Sequence, residues 1–290
     1  MLITGSSKGI GLVTAVTLAR GGHTVYATLR SVERVAELSE EYVPEGLPLH
    51  FSVMDVDSDE SVTAGIAAVY AEAGSIDVLI NNAGIERSGA IEDLPLSAFR
   101  EVMETNYFGA LRAIKAVLPH MRERRSGCIL NVSSVAGRVT TSPLGPYAAT
   151  KHALESISEA LAQELKPFNV RVVILEPGII DTPMANGIGI EPPPSLYPQQ
   201  RRMAQYFAAR LRNGTDPLVI ADKIRSIIES GTWILRHPAG GGAENSIEGR
   251  KTTSDEDYIA LQAADDDTWY RIMEERTGLK IRPESAESTE

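Results

Sequence analysis

A short apolar strand that runs directly into a glycine-rich loop constrains the fold more than any other part of this sequence. Residues 1–4 predict the strand, the loop follows as Gly5-Ser-Ser-Lys-Gly-Ile-Gly11, and residues 12–21 have the apolar spacing of a helix. In such a unit the glycines let the backbone approach a pyrophosphate, and the first helical turn presents free N–H groups. The loop therefore predicts a dinucleotide site, although its G-x-x-x-G-x-G spacing differs from the usual G-x-G-x-x-G.

Beyond this unit, short apolar segments alternate with amphipathic ones. The predicted strands are residues 1–4, 24–28, 49–53, 77–80, 127–132, 170–175 and 233–235, and the longest predicted helices are residues 59–73, 97–124 and 148–166. Strands that alternate with helices form a parallel sheet with helices on both faces. We therefore expect a doubly wound α/β fold of the Rossmann type, with seven parallel strands and with ligands at their carboxyl ends.

Tyr147 and Lys151 are four residues apart at the start of a predicted helix, so their side chains lie on one face. A free tyrosine has a pKa of about 10, and a cation within roughly 4–6 Å lowers that value. Upstream, Ser134 supplies a hydroxyl that can bind a substrate oxygen. The pair alone would equally suit two unrelated surface residues, but its place among the other motifs favours proton transfer by Tyr147.

The end of the second predicted strand indicates which dinucleotide binds. An NAD-specific site usually has an acidic residue there for the ribose 2′-OH, whereas this chain has Leu29 and Arg30. An arginine suits a 2′-phosphate, and Lys8 adds a second positive charge. We expect NADP(H), with NAD(H) possible; the alternative is that Arg30 is a solvated loop residue.

Two other functions remain open at this stage. Gly5-x-Ser7-x-Gly9 matches the nucleophile elbow of a serine hydrolase, but such an elbow normally follows several strands, and the five histidines offer no clear partner. A redox-inactive nucleotide-binding regulator on the same fold is the other alternative, and the Ser134, Tyr147 and Lys151 set counts against it. No metal is expected, because the histidines are scattered and Cys128 is the single cysteine.

Charge and hydropathy limit the partners. The net charge of −11 argues against general affinity for nucleic acid, and much of it lies in residues 241–290, which have 13 acidic against 6 basic residues. No apolar run approaches the roughly 20 residues of a membrane span, and no basic-then-apolar leader precedes the first motif. We expect a cytoplasmic protein without a membrane span.

The chain divides into a main domain and an extension. Residues 1–240 are expected to form one Rossmann-type domain in which residues 184–213 act as a substrate lid, a packed surface helix being the alternative. Residues 241–290 are expected to be an acidic extension with short helices at 255–263 and 266–276 and a disordered end at 282–290. The expected substrate pocket consists of Val135, Val139, Leu144, Met203, Tyr206 and Phe207. Its apolar character predicts a largely apolar alcohol or ketone, such as a steroid or retinoid.

In combination these motifs resemble the short-chain dehydrogenase/reductase family, single-domain branch, over about residues 1–240. The resemblance rests on Thr4–Gly11, Asn81–Gly84, Asn106, Ser133-Ser134, Tyr147-x-x-x-Lys151, and Pro177-Gly178 with Thr182. Residues 25–30 are similar to the 17β-hydroxysteroid and retinol dehydrogenase branch. Two features depart from the family: the first strand is short, as if the chain start were misassigned or trimmed, and the acidic extension has no family role.

The resemblance implies roles for individual residues. Tyr147 would be the general acid/base, Lys151 would lower its pKa and bind the nicotinamide ribose, and Ser134 would hold the substrate oxygen. Asn106 would support the lysine through water, and Asp55 would contact the adenine. The full expected cofactor set is Gly5, Ser7, Lys8, Gly9, Ile10, Gly11, Arg30, Asp55, Val56, Asn82, Ala83, Gly84, Tyr147, Lys151, Pro177, Gly178, Ile180 and Thr182. The long helices 97–124 and 148–166 suit pairing in a homodimer or homotetramer.

Overall fold

The computed structural model describes residues 1–283, without the side chain of Val43, and contains one parallel sheet in that range. Its strands are β1 (Leu2–Thr4), β2 (Val25–Leu29), β3 (Leu49–Val53), β4 (Val78–Asn81), β5 (Gly127–Val132), β6 (Val170–Pro177) and β7 (Arg236–Ala239). The strand order is β3-β2-β1-β4-β5-β6-β7. The order reverses direction between β1 and β4, so the crevice that such a sheet offers a ligand lies where these two strands end.

Twelve α-helices are present between residues 1 and 283. They are α1 (Gly9–Arg20), α2 (Val32–Tyr42), α3 (Asp59–Ala73), α4 (Leu96–Met103), α5 (Gly109–Arg124), α6 (Gly145–Leu165), α7 (Pro183–Ile188), α8 (Gln199–Leu211), α9 (Pro217–Ser230), α10 (Ala243–Lys251), α11 (Asp255–Ala263) and α12 (Asp266–Thr277). None of the described helices is both long and apolar enough to cross a membrane.

Two apolar layers cover the two faces of the sheet. Successive strand side chains point to opposite faces, so Ile3 packs into one layer and its neighbour Leu2 into the other. The first layer contains residues of α1 and α9, such as Leu18 and Ile224, and the second contains residues of α3, α5 and α6, such as Ile114. The doubly wound fold predicted from the alternation of elements is therefore confirmed.

The last strand begins three residues later than the apolar pattern predicts. Residues 233–235 were expected to form it, but the strand is Arg236–Ala239, paired with β6 through Ile174↔Arg236 and Pro177↔Ala239. Trp233 instead lies under the Lys166 ammonium, with Nζ 3.5 Å from the ring centroid. Pro238 has no N–H to donate, and an edge strand tolerates it because that strand is paired on one side only.

The helix predicted over residues 97–124 is interrupted. A π-helical turn at Glu104–Phe108 separates α4 from α5, and it contains Asn106. A π turn inserts an extra residue into the helical repeat and often lies at a functional site. Here it turns the side chain of Asn106 into the interior, where 1% of the residue is exposed.

The C-terminal helices pack on α8. Leu261 of α11 and Trp269 and Tyr270 of α12 form an apolar cluster with Ala209 of α8, and both helices lie where the sequence predicts them. The predicted disorder at 282–290 falls, from residue 284 on, outside the described residues. The division of the chain into a main domain (residues 1–240) and an extension (residues 241–290) stays a prediction.

Candidate active site

The glycine loop is clamped to the loop that follows β4. The Thr4 hydroxyl accepts from the backbone N–H groups of Asn82 and Ala83, at 3.1 and 3.0 Å. The Asn82 side-chain amide in turn donates to the carbonyls of Thr4 and Gly5, at 3.0 and 2.9 Å. The structure therefore brings these two predicted cofactor segments together, and Thr4, which the sequence analysis did not single out for a role, connects them.

The loop forms a cradle that side chains would fill. Gly5 has φ of 70°, in the left-handed region that glycine favours, and a Cβ there would lie 2.5 Å from the Ala83 Cα. A Cβ on Gly11 would lie 2.4 Å from the Asn82 Nδ2. Helix α1 begins at Gly9 with no side-chain cap and no acidic residue in its first turn, so its N–H groups are available to an anion. These residues fit a dinucleotide pyrophosphate.

Thr182 of the predicted cofactor set faces this cradle from the segment after β6. A Cβ placed on Gly9 would lie 3.5 Å from its Cγ2 atom. The Thr182 hydroxyl accepts from the Ala185 N–H at 3.3 Å and caps α7. The threonine therefore has a structural role as well as a position beside the glycine loop.

Positive side chains border the glycine loop on its α2 side. Arg30 is 60% exposed at its side chain, and its Nη1 lies 3.8 Å from the Asp57 carboxylate. Arg34, which the sequence analysis did not identify, donates from Nε to the Ser7 carbonyl at 3.3 Å. Asp55 accepts from the Asp57 N–H at 3.1 Å and so shapes the turn after β3. The arginines present a cationic edge suited to a phosphate.

Ser134, Tyr147 and Lys151 come together at the start of α6. A hydrogen bond joins Ser134 to the Tyr147 phenol, and the Ser134 Oγ also accepts from the Ala136 N–H at 3.1 Å. Lys151 is buried; its Nζ donates to the Val132 carbonyl at 2.9 Å and lies 5.5 Å from the Tyr147 ring centroid. The three predicted side chains therefore share one site.

Burial controls the protonation of this group. Burial raises the pKa of Tyr147 to about 12, the hydrogen bond from Ser134 acts against this rise, and the charge of Glu86 adds to it. Burial also lowers the pKa of Lys151 to about 8, with the charge of Glu155 opposing. The expectation that the pKa of the phenol lies below its ordinary value is wrong for this structure, because burial outweighs the contributions that favour the phenolate. At neutral pH the phenol is protonated and can act as an acid.

Asn106 links two walls of the site. Its Oδ1 accepts from the Ile85 N–H at 2.8 Å, and its Nδ2 donates to the Ile85 carbonyl at 2.9 Å and to the Thr150 hydroxyl at 3.0 Å. Thr150 donates in turn to the Tyr147 carbonyl at 2.7 Å. Asn106 thus ties the loop after β4 to the first turn of α6. Its support of Lys151 through water stays a prediction.

Four of the six predicted pocket residues form one apolar cluster with Ala185. Ala185, Met203 and Phe207 are its buried members, and Leu144 and Tyr206 pack against them. Val135 and Val139 are half-buried and lie outside this cluster. The cluster joins α7 and α8 to the segment that precedes Tyr147, so α8 lies beside the site as a packed helix. Its action as a lid stays a prediction.

The C-terminal helices fix both α8 and the loop before α6. The buried Arg202 guanidinium donates to the Asp266 carboxylate at 2.7 Å and to the Ala264 carbonyl at 2.8 Å. The Tyr258 hydroxyl lies 2.8 Å from the Thr141 hydroxyl. Residues of the acidic extension therefore contact α8 and the loop before α6, both of which adjoin the site. The negative charge of the extension did not indicate these contacts.

The hydrolase reading of Gly5-x-Ser7-x-Gly9 gains no support. Each histidine contacts another residue: His23 contacts Glu229, His50 contacts Glu72, His120 contacts Tyr70, His152 contacts the Ala148 carbonyl and His237 contacts the Ile234 carbonyl. No histidine of residues 1–283 forms a hydrogen bond with Ser7. Over the same residues, no group of three or more His, Cys, Asp or Glu side chains is arranged to hold a metal ion.

Comparison with known proteins gives consistent matches. A family model described as short chain dehydrogenase matches residues 1–192. The uncharacterized oxidoreductase YusZ of Bacillus subtilis is 36% identical over 255 residues, which cover 85% of this chain and 90% of the relative. Retinol dehydrogenase 8 of Bos taurus is 43% identical over 187 residues, covering 63% of this chain and 59% of the relative.

Solved structures agree with these sequence matches. A short-chain dehydrogenase from Streptomyces avermitilis superimposes with a TM-score of 0.75 at 32% identity, covering 94% of this chain and 97% of that one. Actinorhodin polyketide ketoreductase with NADPH also gives a TM-score of 0.75, at 30% identity, covering 84% of this chain and 96% of that one.

Proposed function

The chain belongs to the short-chain dehydrogenase family and is an NAD(P)(H)-dependent oxidoreductase, and from this premise we propose that it interconverts a secondary alcohol and a ketone with Tyr147 as general acid/base. The observation that carries the proposal is the meeting of Ser134, Tyr147 and Lys151 beside the glycine cradle. A redox-inactive regulator would have no need of a phenol, a hydroxyl and an ammonium at one point.

Each side chain has a distinct task. The nicotinamide supplies or accepts the hydride. In reduction, Tyr147 donates its phenolic proton to the substrate oxygen as negative charge develops there, and its raised pKa keeps that proton available at neutral pH. Ser134 holds the same oxygen: its Oγ accepts from the Ala136 N–H, and the hydroxyl hydrogen that bonds the Tyr147 phenol in the free chain would turn to the substrate oxygen. In oxidation the same groups work in reverse.

Lys151 serves as a buried cation behind the phenol. Its Nζ uses one donor for the Val132 carbonyl, which leaves two for a ribose hydroxyl or the phenol oxygen. A pKa of about 8 keeps a large share of this group protonated at neutral pH. An ammonium in this position stabilises the phenolate that remains when Tyr147 has given up its proton.

We assign NADP(H) as the preferred cofactor. Arg30 offers a largely exposed guanidinium at the end of β2, and its contact with Asp57 is long. Arg34 and Lys8 add charge on either side of Ser7. A structural relative at 30% identity contains NADPH. A planar guanidinium can bind the oxygens of a 2′-phosphate in bidentate fashion.

The proposed substrate is a largely apolar alcohol or ketone. The cluster of Leu144, Met203, Tyr206 and Phe207 supplies apolar surface next to the catalytic side chains, and α8 would close over the bound molecule. One relative is named for retinol. The proposed assembly is a homodimer or homotetramer built on the long helices α5 and α6.

The test is turnover by the purified chain. The protein is mixed with NADPH or NADH and a panel of steroid, retinoid and simple alkyl ketones, and the nicotinamide absorbance is followed. Ketone-dependent loss of the reduced cofactor, faster with NADPH and with apolar ketones, is expected. Ester hydrolysis without cofactor consumption, or cofactor binding without turnover of any carbonyl, would overturn the proposal.

A further inference from the structure

The carboxyl end of β2 is joined to the glycine loop on one side and to the turn after β3 on the other. The Ser6 N–H of the glycine loop donates to the Thr28 carbonyl at 2.9 Å. The Met54 N–H, at the start of the turn after β3, donates to the Leu29 carbonyl, also at 2.9 Å. Arg30 is the next residue of the chain. Its side chain therefore begins between the loop that fits a pyrophosphate and the turn after β3.

Asp57 faces Arg30 from that turn, and its carboxylate has an incomplete set of partners. One oxygen, Oδ2, accepts from the Thr105 hydroxyl at 3.0 Å and lies 3.8 Å from the Arg30 Nη1. The other oxygen, Oδ1, is inaccessible to solvent and makes no hydrogen bond to any residue of 1–283. Burial raises the pKa of Asp57, and the hydrogen bond from Thr105 and the charge of Arg30 oppose that rise. The carboxylate therefore gains from a nearby cation.

Arg30 is the cation that is free to move. The other arginine near this turn, Arg112, is engaged by the carboxylates of Asp59 and Glu104. The Arg30 side chain, in contrast, is 60% exposed, and its 3.8 Å separation from Asp57 is longer than a hydrogen bond. Exposed ion pairs of this kind are weak, so the guanidinium can exchange one anionic partner for another.

The two partners available to Arg30 differ with the nucleotide that is bound. A 2′-phosphate offers the guanidinium several anionic oxygens in a bidentate geometry, whereas a ribose 2′-hydroxyl offers no charge. With a 2′-phosphate, Arg30 would leave Asp57; with a 2′-hydroxyl, it would stay there. Leaving Asp57 offsets part of what the phosphate contact contributes. The carboxylate should therefore narrow the difference in affinity between the two nucleotides.

We propose that Asp57 is a positioning residue for cofactor choice: it holds the Arg30 guanidinium when the nucleotide has a 2′-hydroxyl and releases it to a 2′-phosphate. The exchange keeps NAD(H) usable in a site whose arginine favours NADP(H), because Arg30 retains an anionic partner in both complexes. This inference rests on the part of the proposed function that assigns the 2′-phosphate to Arg30, and it deepens that assignment.

The experiment is calorimetric binding of NADP⁺ and NAD⁺ to the full-length protein, without substrate. The measured quantity is the ratio of the NADP⁺ to the NAD⁺ association constant. Asp57→Asn should raise this ratio by about 3- to 5-fold, the size expected for loss of a partly exposed ion pair. An asparagine oxygen can still accept from the Thr105 hydroxyl, so the variant keeps that link. In an Arg30→Gln background, the same Asp57→Asn change should leave the ratio unchanged, since no guanidinium remains to be released.

Asp59→Asn is the matched control. It removes the same charge two residues along the chain, from an exposed carboxylate that pairs with Arg112 rather than with Arg30. It should keep the wild-type ratio. A general decrease in negative charge would raise the ratio in both variants, whereas the exchange of Arg30 between partners changes it in Asp57→Asn alone.

The results separate this role from the proposed catalysis. An unchanged or lower ratio in Asp57→Asn would overturn the role of Asp57. An equal rise in the Arg30→Gln background would do the same, because the carboxylate would then repel the phosphate directly. A wild-type ratio in Arg30→Gln alone would remove the premise and the proposal with it. Binding requires no turnover, so the expected ratios together with a failure to reduce any ketone would overturn the proposed catalysis and leave the role of Asp57 standing.

Discussion

The Lys151 ammonium lies over the face of the Tyr147 ring, 5.5 Å from its centroid, and donates to the Val132 carbonyl. Both groups are buried, and burial favours the neutral form of each. The pKa of the phenol is therefore raised to about 12 and that of the ammonium is lowered to about 8. At neutral pH the site therefore holds a protonated Tyr147 phenol beside the Lys151 ammonium, whose pKa burial has lowered.

Removing this cation should change how stability depends on pH. The folded chain has a pKa of about 8 at Lys151, against an ordinary 10.5. Between these values the unfolded chain binds more protons, so the free energy of unfolding should rise with pH, by up to about 3 kcal/mol from this group. Lys151→Met should lack that contribution. Denaturant unfolding of both proteins from pH 7 to 10.5 measures it, and parallel profiles would contradict the burial of a charged Lys151.

Arg30→Asp should shift cofactor preference toward NAD(H). The substitution removes a guanidinium suited to a 2′-phosphate and introduces a carboxylate that repels it while accepting from a ribose hydroxyl. The ratio of kcat/KM for NADPH to that for NADH should fall by about 10- to 100-fold. Arg276→Asp makes the same charge change at an exposed position of α12 and should leave the ratio as it is. An unchanged ratio in Arg30→Asp would exclude the 2′-phosphate role.

The sequence is sufficient to predict which segments meet at the site. A parallel sheet places the ends of its strands at one edge, so the glycine loop, Asn82 and Ser134 had to converge there. Helical spacing alone places Tyr147 and Lys151 on one face. These predictions depend on local periodicity and on the alternation of strands and helices, which is compatible with few sheet topologies.

Other parts of the site depend on contacts between distant residues, which no local pattern reveals. The Thr4 hydroxyl meets the N–H groups of Asn82 and Ala83 only after folding. The direction of the pKa shift at Tyr147 follows from burial, whereas the spacing indicated only a nearby cation. The apolar residues 233–235 resembled a strand, but Trp233 instead pairs with the Lys166 ammonium, a contact between residues distant in sequence. Thr4 and Thr150 lie within recognised motifs and Glu86 lies two residues after one, and that proximity was the available signal.

Asn106→Leu should lower both stability and turnover. The leucine fills a similar volume but leaves the Ile85 N–H and carbonyl without their partner, and the Thr150 hydroxyl loses its donor and keeps only the bond to the Tyr147 carbonyl. Unsatisfied buried groups of this kind should reduce the free energy of unfolding by about 3 kcal/mol. Denaturant unfolding measures the loss, and kcat should fall as the loop after β4 loosens. Asn213→Leu, at an exposed position, should change neither quantity. Wild-type stability in Asn106→Leu would contradict the linking role.

Arg202→Met should release the C-terminal helices from α8. The buried guanidinium is the partner of Asp266 and of the Ala264 carbonyl, and its loss leaves the carbonyl without this donor and the carboxylate with the exposed Arg201 alone. A decrease of about 3 kcal/mol in the free energy of unfolding is expected. Arg201 binds the same carboxylate but is 47% exposed at its side chain, so Arg201→Met should cost less than about 1 kcal/mol. Amide exchange should accelerate across residues 255–277 in Arg202→Met alone; equal effects of the two variants would contradict this difference.

The most direct test of the central claim is the rate of ketone-dependent NADPH oxidation by Tyr147→Phe, with cofactor binding measured in parallel by fluorescence titration. Loss of the phenolic proton should reduce kcat by about 10²- to 10⁴-fold while the dissociation constant for NADPH stays within a few-fold of wild type. Tyr70→Phe, which removes a hydroxyl of α3 that lies 3.4 Å from the Val117 carbonyl, outside the predicted site residues and the predicted lid, should keep wild-type turnover. A Tyr147→Phe rate within a few-fold of wild type would contradict the assignment of Tyr147 as the general acid/base.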